Sequence, residues 1–179
     1  MTSNEILVVD IVCRDFGKIA IILCYRPPSD HSMDFINHLR LTLDNCVNAG
    51  LTQLCMIGDI NFPNIDWNLV SPKNNSAIDI EMCNLLQEFN LSQSNHNAST
   101  IHGKILDVIL SNIEDRIHDV ETYEDIIDSD HFILQFFLDF KIISKSNIRR
   151  TVYNFKKANF SVLKQKSSVA NLDKICSDF

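Results

Sequence analysis

A layered, mixed α/β sandwich is the fold class this sequence predicts, and three observations carry it. Two β-rich apolar runs, Glu5 to Cys13 and Lys18 to Tyr25, open the chain as a hairpin around the short break Arg14 to Gly17. Two amphipathic helical patterns then alternate with apolar runs too short to be helices. The alternation follows no strict βαβ rhythm, which favours a mixed sandwich over an all-parallel sheet. At 179 residues, 45% hydrophobic and 22% charged, the chain is long enough for one domain with a substantial core.

The hairpin strands are almost continuously apolar, so both are expected to be buried on both faces. Tyr25-Arg26-Pro27-Pro28 ends the second strand, because proline lacks the amide hydrogen a ladder needs and holds its predecessor extended. Ser32 precedes a helix with Phe35, Ile36, Leu39, Leu43, Cys46 and Val47 on one side, closing at Ala49-Gly50. Thr52 to Ile57 is the next strand, and Gly58 to Trp67 is its loop. Ser76 and Asp79 have the spacing of a capping box for a second helix, which carries Ile78, Met82, Leu85, Leu86 and Phe89 and stops at Asn90. Leu91 to Asn95 is a short strand. Ser99-Thr100 and a turn at His102-Gly103-Lys104 lead into the strand Ile105 to Ser111. Arg116 to Thr122 and Phe132 to Phe140 complete the set, the last opened by Ser129-Asp130-His131.

Charge divides the chain. Residues 1–140 hold 7 Lys/Arg against 21 Asp/Glu, a balance of -14, whereas residues 141–179 hold 9 against 2, or +7. The expected organisation is therefore an acidic domain over 1–140 and a basic linker or tail over 141–179. An acidic body is not a self-sufficient clamp for a polyanion, so any contact with nucleic acid calls for divalent cations or the basic part. The six cysteines form no C-x-x-C pair and mostly sit in apolar runs, which argues against a zinc site or a disulfide framework. They read as reduced thiols of an intracellular protein, nuclear or cytoplasmic and not secreted. No apolar run approaches the ~18 residues of a membrane span, so no membrane partner is expected.

Polar chemistry gathers at strand ends. Asp59 and Asn61 follow the strand and Gly58 with one residue between them, and in an extended segment they would share a face. A carboxylate beside an amide suits a metal ligand or proton acceptor next to a group that orients a phosphate; a turn closed by Asp and Asn is the plainer alternative. Asp107 lies inside the apolar run Ile105 to Leu110, where a lone carboxylate is costly unless paired. His131, preceded by Asp130, is its expected partner: alternate pointing would let Asp130 face a metal and His131 face Asp107. An Asp–His pair fixes the tautomer of the ring. Tyr25 closes its strand in the same manner and offers a phenol to an anion, or else packs in the core. His31, His38, His96, His102 and His118 lack ligand spacing and read as solvated. A site rich in acids with one histidine favours a hard cation such as magnesium over zinc, which is the equipment of metal-assisted phosphoester hydrolysis.

Four motifs in order carry a family resemblance: Tyr25-Arg26-Pro27-Pro28, the Gly58-Asp59-Ile60-Asn61 stretch running on to Trp67, Leu106-Asp107 with Leu110-Ser111-Asn112, and Ser129-Asp130-His131. Together they resemble the endonuclease/exonuclease/phosphatase superfamily. More narrowly, Pro63-Asn64-Ile65-Asp66-Trp67 and the segment Thr151 to Ala158 are similar to the apurinic-type endonuclease domain of non-LTR (LINE-type) retrotransposons. The resemblance implies a deoxyribonuclease-I-like, four-layer β-sandwich flanked by helices. It implies that Asp59 activates the attacking water, that Asn61 and Tyr25 contact the scissile phosphate, and that His131, oriented by Asp107, stabilises its developing charge. Asp59 and Asp130 would hold Mg2+, or Mn2+ in its place. The implied substrate is DNA, nicked to a 3′-hydroxyl that primes reverse transcription, and the implied partner is a fused or neighbouring reverse transcriptase.

Members of that family also carry an asparagine and a Gln-Glu pair upstream of the position of Glu5. The expectation is therefore an N-terminally truncated domain lacking its first strands, with an unpaired apolar sheet edge, weak metal binding and impaired turnover. A catalytically silent fragment serving as an interaction or nucleic-acid-binding module is the alternative. A phosphatase of the same superfamily acting on a small ester is a third reading, against which Ile65-Asp66-Trp67 and the tail both speak.

Overall fold

The computed structural model describes residues 5–15, 17–124, 129–141 and 159–162. The chain divides into two compact units, Met1–Ile143 and Ser144–Phe179. The second contributes a helical turn over 160–162, and the rest of the basic segment expected over 141–179, except Lys141, lies outside the described residues.

The first unit is built on a five-stranded sheet. In chain order its elements are β1 (Glu5–Cys13), β2 (Gly17–Tyr25), α1 (Asp34–Asn48), β3 (Gln53–Asp59), β4 (Ile65–Asp66), β5 (Ser71–Pro72), α2 (Ala77–Glu88), β6 (Ser92–Gln93), β7 (Asp107–Ser111), β8 (Ile117–Tyr123) and β9 (Ile133–Leu138). The sheet order is β1-β2-β3-β7-β6; β2 and β3 run parallel, joined by α1, and every other neighbouring pair is antiparallel. β4 with β5 and β8 with β9 form two separate ribbons.

Period-two alternation assigns each strand residue to one of two cores. Ala20, Ile22, Leu54, Met56, Val108 and Leu110 meet Phe35, Ile36, Leu39 and Leu43 of α1 and Met82, Leu85 and Leu86 of α2. Ile19, Cys55 and Ile109 point the other way, where Leu134, Phe136 and Leu138 of the β8–β9 ribbon pack. Each fully buried aliphatic side chain contributes about 1.5–3 kcal/mol of transfer free energy. A helix layer, the large sheet and a small sheet thus follow one another, the mixed α/β sandwich expected. The cysteines described are free and buried, and burial pushes the Cys24 and Cys55 thiols up to about 12. Among the described residues no helix is long and apolar enough to cross a membrane.

Three local expectations need correction. β1 is not buried on both faces: it is the sheet's edge, and Leu7, Val8, Val9 and Val12 are exposed. Val47 sits on the outer side of α1 and is also exposed. Ser76 makes no side-chain cap bond to α2, and Asp79 is turned inward, 4% exposed. His118, exposed as expected, stands on β8 and stacks on Phe137, with ring centroids 6.0 Å apart.

Gly58 is required where β3 meets β2. Its φ is +150°, and a Cβ there would overlap the main-chain carbonyl of Cys24. Gly58→Ala should destabilise the fold by at least about 3 kcal/mol, because neither backbone can yield without breaking the ladder. Urea unfolding measures this; a shift below about 1 kcal/mol would show that the strands can separate.

Candidate active site

Strand register places the first three functional side chains. Tyr25 pairs with Asp59 across the parallel β2–β3 ladder, and Asp59 pairs with Asp107 across the antiparallel β3–β7 ladder. Residues directly opposite in neighbouring strands share a face, so the three stand in one row at one end of the sheet. Asn61 joins them by a different route from the strand alternation expected of it. Its backbone is left-handed (φ +49°), which turns the amide back so that Nδ2 donates to Asp59 Oδ1 at 2.8 Å and to the Arg26 carbonyl at 2.8 Å. Both amide hydrogens are therefore engaged, and the most direct service of Asn61 is to orient Asp59.

His131 reaches the row from the start of the last strand. Its Nδ1–H donates to Asp107 Oδ2 at 2.9 Å, and its Nε2 stands 3.9 Å from Asp59 Oδ2. An ionised carboxylate is an acceptor, so this bond selects the Nδ1–H form and leaves Nε2 toward Asp59 and the cleft. Segment 99–101 fixes the approach: Phe132 N donates to the Ser99 carbonyl, Ile101 N donates to the Asp130 carbonyl, and Thr100 bridges His131. Asp107 is held in turn by two buried polar residues. Ser99 Oγ accepts from the amides of Leu106 (2.9 Å) and Asp107 (3.0 Å), and Asn95 Nδ2 donates to the Asp107 carbonyl (2.9 Å).

Tyr25, Asp59, Asn61 and His131 line a cleft of about 420 Å3 together with Asp130, Lys104 and Pro63. Tyr25, Asp59, Asn61, Asp130 and His131 thus share its wall, and Asp107 lies behind His131. Burial and the nearby charge of Asp107 raise the Asp59 carboxyl above its ordinary value, against the opposing pull of His131 and Asn61. For His131, burial disfavours the charged ring. The hydrogen bond to Asp107 and the charges of Asp107, Asp59 and Asp130 outweigh it and lift the ring above its usual value.

Asp59, Asp107 and His131 each present a ligand atom within 4.8 Å of the others, a grouping able to hold a metal ion. The donor set of two carboxylates and one imidazole fits a hard divalent cation, and positive charge there would relieve the desolvated Asp59–Asp107 pair. Asp130, expected to share the cation with Asp59, lines the same cleft outside this group. Arg26, Asn95, Ser99 and Lys104 were not singled out from the sequence. Arg26 and Lys104 have signals there, a cation inside the Tyr25–Pro28 motif and a cation three residues before Asp107. Asn95 and Ser99 have none, because nothing local marks them as buried.

Solved structures share the fold. The endonuclease domain of TRAS1, a telomere-specific non-LTR retrotransposon, superposes with a TM-score of 0.58 at 20% identity, over 75% of this chain and 61% of that one. The catalytic domain of Xenopus laevis APE2 gives 0.53 at 15% identity, over 79% and 57%. The 3′ phosphatase NExo from Neisseria, bound to a product DNA hairpin, gives 0.50 at 15%, over 74% and 64%. The chain thus spans about three-fifths of the length of the structures it matches. No curated protein matches it. The model of one family, described as endonuclease-reverse transcriptase, matches residues 19–135, a stretch that runs from β2 into β9 and takes in every side chain of the cleft. By that match the chain belongs to the endonuclease-reverse transcriptase family.

Proposed function

We propose that this chain is the catalytic part of a retrotransposon-type endonuclease that nicks DNA with a divalent cation, magnesium or manganese, for target-primed reverse transcription. The observation that carries it is the Asp59–His131–Asp107 constellation, with Asp59 and His131 opening on one cleft beside Tyr25 and Lys104. A family described as endonuclease-reverse transcriptase supports a reverse transcriptase, fused or neighbouring, as the partner, with the basic segment 141–179 as the link. Buried free thiols suit the reducing interior of a cell, nuclear or cytoplasmic.

Asp59, its oxygen fixed by Asn61, accepts a proton from the attacking water; its raised affinity for protons makes it the stronger base. His131, its ring oriented by Asp107 and its proton affinity raised, meets the charge that develops on the phosphate. Tyr25 and Lys104 contact phosphate oxygens from the cleft wall, and Asn61 does so by exchanging one of its two amide bonds. Asp59 with Asp107, and Asp130 alongside, would hold the cation, whose contribution when bound is Lewis-acid polarisation of the phosphoryl group.

The exposed apolar edge at Leu7, Val9 and Val12 favours a second reading, a silent interaction module. A plasmid-nicking assay with magnesium separates the two. The native chain should accumulate open circles, while Asp59→Ala and His131→Ala each slow this by at least about 10²-fold and chelation abolishes it. Equal rates for all three chains would sink the catalytic reading.

A further inference from the structure

Arg26 follows Tyr25 at the end of β2 and is 3% exposed. A guanidinium is costly to bury unless its donors and charge are used. Here Nη1 donates to the carbonyls of Ile60 (3.2 Å) and Asn61 (2.7 Å), and Nη2 donates to the carbonyl of Asp30. The guanidinium lies over the Phe62 ring, 4.1 Å from its centroid. The main chain completes the grip: Arg26 N donates to the Asp59 carbonyl at 2.9 Å, and the Arg26 carbonyl accepts from Asn61 Nδ2. One residue therefore contacts all four members of the segment Asp59-Ile60-Asn61-Phe62.

That segment needs holding. Asn61 takes the left-handed backbone, which asparagine tolerates better than other residues with a Cβ but does not adopt by default, so its surroundings select it. Charge balance comes from Asp30, whose carbonyl Arg26 also holds, and from the first turn of α2, where Asp79 is buried in the cap-like position that forms no cap. Burial draws the guanidinium below its ordinary proton affinity, and Asp30 and Asp79 oppose this. Arg26, Asp79 and Asn61 line one small cavity of about 140 Å3. Arg26 Nε and Asp79 Oδ2 have no hydrogen-bond partner among the described residues, so their coupling is electrostatic across that space.

We propose that Arg26 is a positioning residue for the candidate active site: its guanidinium locks Asn61 in the left-handed turn that brings the amide to Asp59, and buried Asp79, with Asp30, supplies the counter-charge that keeps it there. The proposal rests on the reading of Asp59 and Asn61 as catalytic groups, but the clamp itself is observable without catalysis. A purely packing role would be served as well by an apolar side chain, which makes no bonds to the Ile60 and Asn61 carbonyls.

The test is Arg26→Lys, which keeps the charge but replaces the fork by one nitrogen unable to span three carbonyls. Solution NMR reads the side-chain amide of Asn61. Its exchange with water should be slowed about tenfold or more in the native chain and lose that protection in Arg26→Lys, while the backbone amide resonances of the β8–β9 ribbon stay in place as an internal control. Asn61 protection within about twofold of native would overturn the clamp. Should Arg26→Lys fail to fold, isosteric Asp79→Asn decides: loss of Asn61 protection supports the proposal, and retention overturns it. In the nicking assay, Arg26→Lys should lower kcat about 10²-fold with KM nearly unchanged. A native chain that nicks nothing would overturn the nuclease reading and leave the NMR result to judge the clamp.

Discussion

Replacing Asp107 by asparagine should slow DNA cleavage by about 10²–10³-fold while leaving the fold intact, and should lower the pH at which His131 loses its proton. The substitution is nearly isosteric. Ser99 and Asn95 hold the main chain at position 107 and do not touch the side chain, so the new amide stays beside the ring. Its carbonyl can still accept the Nδ1–H bond, but the negative charge is gone. Burial then opposes protonation of His131 with only Asp59 and Asp130 against it. In the native, metal-free chain the ring should titrate above the ordinary ~6.5, and in Asp107→Asn it should titrate lower. The stability consequence has a definite sign. Because the folded ring binds its proton more tightly than the unfolded one, the pair's stabilisation is fully present below pH ~6.5. It is lost as pH rises through the higher folded value. Urea midpoints of the native chain should fall over that window, and less so in the variant. An NMR titration of His131 identical in both chains would show that the carboxylate charge is not what holds the proton.

How much of this was legible beforehand follows from what each signal reports. Hydrophobic period and turn chemistry marked both hairpin strands, both helices, the strands carrying Asp59 and Asp107 and the strand that His131 precedes, since those are local properties. The Asp107–His131 pair was legible for an energetic reason: a carboxylate in an apolar strand needs a partner. Register was not legible, and register is what aligns Tyr25, Asp59 and Asp107 in one row. Apolar content suggested that β1 is covered on both faces, whereas the resemblance implied an unpaired apolar sheet edge, and β1 is such an edge. At Asp79 a local capping pattern competed with a buried arginine more than fifty residues earlier in the chain, and the tertiary charge won. The pairing of Asp59 with Asn61 was anticipated for the wrong geometric reason. A left-handed turn held from Arg26 brings them together, where an extended strand was expected.

Asp59→Asn should abolish nearly all cleavage, by about 10³-fold or more, and yet make the metal-free protein more stable at neutral pH. The sign comes from the environment of the carboxylate. Burial and the charge of Asp107 raise its proton affinity in the folded chain above the unfolded value near ~3.9, despite His131 and Asn61. A carboxyl shifted in that direction costs the fold stability once it ionises, as pH rises through the folded value. Asparagine removes the cost and keeps the oxygen that accepts from Asn61 Nδ2. The urea midpoint of Asp59→Asn should therefore exceed that of the native chain at pH 7. The two should converge near about pH 3, where the native carboxyl is protonated in both states. A lower midpoint at pH 7 would mean that attraction to His131 outweighs burial and Asp107. Adding a divalent cation should narrow or invert the difference, because the ion binds the native carboxylate cluster and stabilises only the chain that has it. A side chain whose removal destroys the reaction but strengthens the fold serves chemistry at the expense of packing, and the cation-dependent inversion would tie that chemistry to a metal.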